Sequence, residues 1–465
     1  MSFPSVAPYS SFEMAPFLAI AAGSICFLIP ALINGFPFVY PDTVDYLIFT
    51  PRLYRSPFYG LFIFFFHLNR FIWAPVIAQA FIASHLVWVL VRIHAGGSSV
   101  RYFGFMVIIL VCLSSLPFFV GFIMPDIFTP IMILVFYILG FHLSALSRLE
   151  RLYFVLLGCV AVAAHISHLT QALALVSAII IIQVFLRTPF RVALTRSTIL
   201  SIPLVLSAIA ILLNNIVVHH SVALFPAGQS FLLANMIEQG PARRYLQERC
   251  PAAGYRICSI IDSVPRTAYE VLWAPDGAYQ NLGGFEGMRE EAKQIVMSTF
   301  LSRPWDVLQM AVHTVGLSFV NHAPGADLHS LGQSRDIWMV DVLTKKFGLS
   351  TVRAHEDSLQ SQDATRALLQ AVDSMNFPIA TVGLLISGIF AFRRGLQEAT
   401  VLAILVPAAY AINNTLCAFA SGISDRYQAR VTWLFALAGM LIIIQLFESS
   451  RNKSLSGGRP SGNAI

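Results

Sequence analysis

The stretch "LYFVLLGCVAVAAHISHLTQALALVSAIIIIQVFL", residues 152–186, determines how the chain is threaded through a membrane. Its 35 residues exceed the roughly 20 needed for one crossing, and "HISHLTQ" at 165–171 interrupts it. If the run forms two short helices, every strongly basic connector falls on one side. A single helix would place the later basic clusters opposite the earlier ones, against the positive-inside rule. We therefore predict a helical hairpin and about ten spans, with both termini cytoplasmic.

The composition is that of a membrane protein. Of 465 residues, 57% are hydrophobic and 12% are charged, whereas soluble domains are about a quarter charged. The net charge of +6 arises from short Lys and Arg clusters between apolar runs, a pattern that orients membrane helices rather than one that binds nucleic acid. We expect no nucleic-acid partner.

The predicted fold class is an all-α polytopic membrane protein with an extracytoplasmic α-rich insertion. The other spans are predicted near 15–34, 71–91, 102–120, 126–146, 198–218, 376–392, 399–420 and 430–447. Two further apolar stretches are not predicted to span: 56–68 is interpreted as interfacial or re-entrant, and 304–322 as a helix on the membrane surface or packed against the bundle. The predicted units are a transmembrane module at 1–218 with a first outer loop at 35–56, an extracytoplasmic domain at 219–375, C-terminal helices at 376–448 and a disordered cytoplasmic tail at 449–465.

Two cysteines lie in the predicted outer insertion. Cys250 and Cys258 are close in sequence, and an oxidising compartment favours a disulfide between them. The alternative is a pair of reduced thiols. The usual zinc-ligand spacing is missing around them.

The first outer loop, "NGFPFVYPDTVDYLIFTPRLYRSPFYG" at 34–60, combines acids and bases. Asp42 and Asp45 lie among aromatic and proline residues, where an apolar surface raises a carboxylate pKa toward the range of a general base. Arg52 and Arg55 follow closely enough to bind an anionic group beside that base. The alternative is a solvated turn with ordinary Asp and Pro turn chemistry.

Three more candidates fall on the same predicted face. Asp126 in "MPDIFTPIMIL" either caps a helix or meets the first-loop carboxylates across a common outer cavity. His165 and His168 lie at the reversal of the hairpin, and polar groups at membrane depth are functional candidates. Substrate contact, polar packing and binding of a divalent metal ion all remain open for this pair.

The segment "SGISDRYQARVTWLF" at 421–435 places basic residues on the outer face. Arg426 and Tyr427 are candidates to clamp a lipid-linked phosphate, together with the neighbouring Arg430. The alternative is an ion pair between Asp425 and Arg426 on a solvated turn. Sites suggested by four separate loops thus converge on one face.

Several enzyme classes lose support from the sequence. A P-loop, a G-x-S-x-G elbow, an H-E-x-x-H motif and a dinucleotide fingerprint are all missing. ATP-driven chemistry, serine hydrolysis and hydride transfer are therefore disfavoured.

The layout resembles the GT-C superfamily of integral-membrane glycosyltransferases, the group that includes protein O-mannosyltransferases and the lipid A aminoarabinose transferase. The resemblance rests on "YPDTVDYL", "RSPFYGLFIFFF", "MPDIFTPIMIL" and "DRYQAR". It implies a GT-C-like bundle, a polyprenyl-phosphate sugar donor, Asp42 as catalytic acid with Asp45 beside it, Asp126 as the acidic position of the second outer loop, and Arg426 as a phosphate contact. Here two residues separate Asp42 from Asp45, whereas several relatives have adjacent acids.

The resemblance implies a glycosyltransferase of the bacterial inner (plasma) membrane. It would transfer a sugar to a glycan, lipid or protein acceptor of the cell envelope on the periplasmic side, where the large domain would lie. A transporter or flippase of a lipid-linked saccharide would use the same outer charges for binding. A cell-envelope polymerase or ligase with a large outer loop is a third alternative.

Overall fold

The structure is a computed structural model that describes residues 14–95, 99–274, 277–323, 325, 328 and 336–457. Most of these residues are in helices. The first eleven α-helices are α1 (Met14–Phe27), α2 (Ile29–Asn34), α3 (Thr43–Ile48), α4 (Pro57–His67), α5 (Ala74–Ala95), α6 (Ser99–Leu113), α7 (Leu116–Gly121), α8 (Phe128–Phe141), α9 (Arg148–Ala163), α10 (His168–Phe185) and α11 (Phe190–His219). Nine shorter helices follow: α12 (Gly228–Glu238), α13 (Pro241–Arg249), α14 (Ala268–Trp273), α15 (Ala278–Asn281), α16 (Gly284–Gly287), α17 (Arg289–Ser302), α18 (Pro304–Ser318), α19 (Asp336–Phe347) and α20 (Leu349–Glu356). The chain ends with α21 (Arg366–Arg393), α22 (Gln397–Ser421) and α23 (Asp425–Gly457).

Six of these helices are long and apolar enough to cross a membrane. Among the described residues they are α5, α10, α11, α22, the part of α21 at Asn376–Arg393 and the part of α23 at Asp425–Arg451. The run at 152–186 is divided between α9 and α10, which confirms the predicted break at "HISHLTQ". The first apolar run is also broken, at Leu28, because Pro30 in the first turn of α2 has no N–H to continue the helix.

Two apolar cores organise the molecule. The first is built from the long helices and includes Tyr46 and Leu47 of α3. The second is built from α12 to α18 and also takes in Leu53, which follows α3 in the first loop. The first loop therefore connects the two cores.

The predicted insertion at 219–375 contains helices that pack with one another in the second core and helices that pack against the rest of the bundle. Helix α18 packs along α22, in agreement with its predicted placement against the bundle. Helix α19 instead packs against α3. A disulfide joins Cys250 and Cys258, whose Cα atoms are 5.3 Å apart.

The C-terminal helix is longer than its predicted span. Helix α23 continues through Gly457, so the first part of the tail that we expected to be disordered is helical. A helix that is already formed propagates at little cost, because each added residue gains one hydrogen bond. Residues 458–465 lie outside the described part of the chain.

Candidate functional site

The first loop is held against the segment that precedes α8. The Phe38 N–H donates to the Gly121 carbonyl and the Ile123 N–H donates to the Phe38 carbonyl, both at 2.9 Å. The Thr43 hydroxyl accepts from the Tyr40 N–H and donates to the Ile123 carbonyl. These bonds fix the start of α3 beside the turn Pro125–Ile127, and so bring Asp42 near Asp126.

A distant glutamine completes this pairing. The Gln360 side chain donates to the Val39 carbonyl at 2.6 Å and accepts from the Val39 N–H at 3.1 Å. Its own backbone N–H donates to the Asn34 side chain at 2.7 Å. Gln360 thereby satisfies a buried extended backbone as a neighbouring strand would, and buried backbone groups require such partners.

Four side chains of the first loop form an ion-pair network. The Arg55 guanidinium donates to Asp42 Oδ1 at 2.5 Å and to Asp45 Oδ2 at 2.6 Å. Arg52 donates to Asp45 Oδ1 at 3.3 Å. Asp45 is thus bound through both oxygens within the first loop, and its side chain is 17% exposed, compared with 33% for Asp42.

Two arginines at the start of α23 extend the network to the other carboxylates. Arg426 donates to Asp42 Oδ2 at 3.4 Å, and its Nε atom lies 3.8 Å from Asp126. Arg430 donates to Asp126 Oδ1 at 3.3 Å and to the Asn413 side chain at 2.9 Å. Asp126 is almost completely buried, and these two arginines are its ion-pair partners.

We call these seven side chains the ion cluster: Asp42, Asp45, Asp126, Arg52, Arg55, Arg426 and Arg430. Four arginines against three aspartates leave one net positive charge. The buried Nε atom of Arg426 has no acceptor within hydrogen-bond distance in the described part of the chain. Buried donors normally have acceptors, and the Asp126 carboxylate, 3.8 Å away, is an ion-pair partner beyond hydrogen-bond distance.

Tyrosine rings cover the arginines. The Arg426 guanidinium lies 4.7 Å from the centroid of Tyr40 and 5.3 Å from that of Tyr427. The Arg430 guanidinium lies 5.1 Å from the centroid of the same Tyr427 ring. Such cation–π contacts fix the guanidinium planes without consuming their N–H donors.

The surrounding charges hold Asp42 ionised. Burial alone would raise the pKa of Asp42, but the charges and hydrogen bonds of Arg55 and Arg426 outweigh burial and hold the pKa well below its usual range. Asp42 is therefore a carboxylate at neutral pH. While both arginines are bound to it, it is a weak base.

His165 borders the ion cluster as a neutral imidazole. Burial, together with the positive charges of Arg430, Arg55 and Arg426, lowers the pKa of His165 to about 3. The Ser167 N–H donates to its Nδ1 atom at 3.2 Å, so the neutral ring carries its proton on Nε2. That N–H can donate to an oxygen without adding charge.

His168 has a different environment from His165. Its Nδ1 atom donates to the Ala161 carbonyl and its Nε2 atom accepts from Thr129, both at 2.7 Å. Both nitrogens are therefore engaged within the protein. This arrangement favours polar packing among the alternatives that the sequence left open.

An aromatic group adjoins the ion cluster on the side of the second core. Tyr54 donates to Asp45 at 3.4 Å and packs against Phe285 and Trp273, with ring centroids 4.6 and 5.1 Å away. Phe231 packs on both of these rings. The second core thus presents aromatic faces beside the charged site.

A group of potential metal ligands lies at the end of the bundle opposite the ion cluster. Within the described residues, one group of three has ligand atoms close together: His94, His142 and Glu398. His94 and His142 both contact the Tyr137 hydroxyl through Nε2. His165 and His168 belong to no such group in the described ranges.

The structure brings most of the predicted site residues together. Arg426 contacts Asp42 and Asp126 rather than pairing with Asp425, whose side chain accepts from the Ala323 N–H. The sequence reasoning missed Asn413, Tyr40 and the central position of Arg430. The available signal for Arg430 was that it lies four residues after Arg426, on the same face of one helix. No protein-family model, no curated protein and no solved structure matches this chain.

Proposed function

We propose that this chain is a membrane glycosyltransferase of the GT-C type, which transfers a sugar from a polyprenyl-phosphate donor to a cell-envelope acceptor on the periplasmic side of a bacterial inner membrane. The observation that carries the proposal is the ion cluster. It places a partly exposed carboxylate, Asp42, beside Arg426, which has a buried N–H without an acceptor. A general base next to a phosphate-binding arginine is what sugar transfer from a phosphate-linked donor requires.

The helix inventory supports a topology with ten spans. Besides the six long helices, the shorter apolar helices of the described residues are α1, α4, α6 and α8 with its preceding turn. In the proposed topology α1 with α2, α6, α8 and the more polar α9 supply the four remaining spans, and α4 does not cross. In this topology the ion cluster lies at the periplasmic end, because it is built from the loops after the first, third, fifth and ninth spans. The lipid-linked donor would lie in the outer leaflet and present its phosphate to this end of the bundle.

The donor phosphate would bind to the arginines. Arg426 and Arg55 already donate to carboxylate oxygens, and the same N–H groups can donate to phosphate oxygens. The net positive charge of the ion cluster favours an anion. The Nε2–H of His165 supplies a further neutral donor to the phosphate or to the sugar.

Donor binding would also activate Asp42. A phosphate that shares Arg426 and Arg55 weakens their hold on Asp42, and the pKa of Asp42 then rises toward a useful value. Asp42 takes the proton of the acceptor hydroxyl while the acceptor oxygen attacks the anomeric carbon. The bond from that carbon to the phosphate oxygen breaks, and the polyprenyl phosphate leaves with the electron pair. The transferred sugar has inverted configuration.

The aromatic group provides a surface for the sugar or the acceptor. Tyr54 contacts Asp45, and Trp273 and Phe285 pack on the Tyr54 ring; all three belong to or border the second core. Aromatic faces with a nearby polar group bind molecules that have both an apolar and a polar side. In this account the second core selects the acceptor.

The experiment is a transfer assay with the purified full chain and a panel of synthetic polyprenyl-phosphate sugars. We expect turnover with at least one donor, and a loss of about 100-fold or more in Asp42→Asn with donor binding retained. Asp341→Asn, which removes an exposed carboxylate outside the ion cluster, is the matched control and keeps full turnover. Unchanged turnover in Asp42→Asn contradicts the assignment of the base.

The rival function has a distinct outcome in the same assay. A transporter or flippase of a lipid-linked saccharide would show saturable donor binding, no turnover with any donor, and no effect of Asp42→Asn on binding. That combination would replace the transferase proposal.

A further inference from the structure

A cavity lined by arginines lies at the end of the bundle opposite the ion cluster. It has a volume of about 330 Å³ and is lined by residues from the ends of α8, α9 and α11, including Arg151, Arg191 and Arg196. Helix α8 runs from the ion cluster toward this end over 14 residues, which corresponds to about 20 Å. The cavity is therefore separate from the proposed active site.

The lining of this cavity is suited to an anion. Besides the three arginines it contains the polar side chains of Ser144 and Thr195, and no carboxylate lines it. Within the described residues, Arg151 and Arg191 form no ion pair. Three positive charges around one cavity repel each other, so a bound anion lowers their electrostatic energy.

Arg151 and Arg191 are held in ways that leave donors for a ligand. Arg151 uses its Nε atom to donate to the carbonyls of Leu143 and Leu146, both at 3.1 Å, which fixes the side chain and directs its terminal nitrogens elsewhere. Arg196 is buried, with 5% exposure, so its guanidinium is shielded from solvent. Arg191 is exposed at the rim. The cavity thus has one buried, one fixed and one adaptable cation.

The surroundings of the cavity are apolar. Leu149 and Leu152 flank Arg151 in α9, and Phe190 and Leu194 flank Arg191 in α11; all four side chains are exposed. Helix α11 is among those long and apolar enough to cross a membrane. An anion that reaches the arginines at this position is best carried by a molecule with apolar chains.

We propose that this cavity binds the phosphate group of an anionic phospholipid. Basic pockets between helices at one face of a membrane bind anionic lipid head groups through phosphate contacts of this kind. Arginine suits this role because its fork of N–H donors matches phosphate oxygens. The exposed leucine and phenylalanine side chains contact the acyl chains.

Native mass spectrometry of the full chain tests the proposal, with phosphatidylglycerol, phosphatidylcholine and inorganic phosphate as separate probes. We expect phosphatidylglycerol to bind more tightly than phosphatidylcholine. Arg191→Gln should weaken phosphatidylglycerol binding about fivefold, as expected for one cation near lipid phosphate. Arg191→Lys, which keeps the charge, should stay within about twofold of the unmodified chain.

The matched control is Arg148→Gln, which removes one exposed arginine from the same end of the bundle without altering the cavity lining. It should change phosphatidylglycerol binding by less than about twofold. Equal effects of Arg148→Gln and Arg191→Gln, or equal binding of the two lipids, would overturn the proposal. Displacement of phosphatidylglycerol by inorganic phosphate at similar concentrations would also overturn it, and would assign the cavity to free phosphate.

Discussion

Asp42 and Asp45 have different partners, although they are separated by only two residues. Asp45 has both oxygens engaged by Arg52, Arg55 and Tyr54, and its role is to hold the first loop together. Asp42 shares Arg55 with it but also reaches Arg426 and is partly exposed. Sequence position alone left both as candidate bases; the arginine contacts distinguish them.

Arg426 should be the main determinant of donor affinity. Replacing it with Gln removes a charge-assisted contact to phosphate, so we expect about 10- to 100-fold weaker binding of a polyprenyl-phosphate sugar, measured by titration of the purified chain. Arg426→Lys should retain part of the affinity. Arg353→Gln, at an exposed position outside the ion cluster, should leave the affinity unchanged. Equal donor affinity in Arg426→Gln and Arg353→Gln would exclude Arg426 as a phosphate ligand.

Donor binding should show no dependence on the titration of His165 between pH 5 and 8. His165 remains neutral in this range because its pKa is about 3. The pKa of His165 is lower in the folded chain than in the unfolded chain, where it is about 6.5. Its contribution to the free energy of unfolding is therefore fully present above pH 6.5 and is lost as the pH falls toward 3. A binding transition near pH 6.5 that disappears in His165→Asn would contradict this assignment.

At the scale of elements, the sequence predicted those helix boundaries and placements that follow from hydrophobic periodicity and from the bias of basic residues to one side. The break between α9 and α10 and the packing of α18 on the bundle belong to this class. The bonds of Gln360 to Val39 do not, because the two residues are 321 positions apart and neither has a recognisable motif. Long-range polar contacts depend on geometry that a single sequence does not contain.

Gln360→Ala should destabilise the first loop. The substitution leaves the buried N–H and carbonyl of Val39 without partners, which costs about 2–4 kcal/mol. We expect a lower melting temperature and weaker donor binding, because the Val39 segment leads directly to Asp42. The control is Gln362→Ala, at an exposed position with a long contact to the Asp357 carbonyl. If Gln360→Ala melts like this control, the glutamine does not hold the loop.

At the scale of the whole molecule, the site lies where the two cores meet. Leu53 belongs to the second core, whereas Tyr46 and Leu47 belong to the first, so the loop between them carries Arg52 and Arg55 at the junction. The sequence indicated a separate outer unit from the change in composition after residue 219. It did not indicate that α19 would return to pack on α3, since that contact depends on tertiary packing.

The disulfide should stabilise the second core without affecting the charged site. Closing the short loop between Cys250 and Cys258 contributes about 2.5 kcal/mol in a chain-entropy account. The double substitution to Ser should therefore lower thermal stability under oxidising conditions and change donor affinity by less than about twofold. A large loss of donor affinity at a temperature where the variant is folded would show that the disulfide shapes the site.

The most direct test of the central claim is an experimental structure of the full chain with a phosphonate analogue of a polyprenyl-phosphate sugar. We predict a phosphonate oxygen within hydrogen-bond distance of Arg426, the anomeric carbon facing Asp42, and a longer distance between Arg426 and Asp42 than the present 3.4 Å. An analogue bound elsewhere, with the Asp42, Arg426 and Asp126 contacts unchanged, would contradict the account.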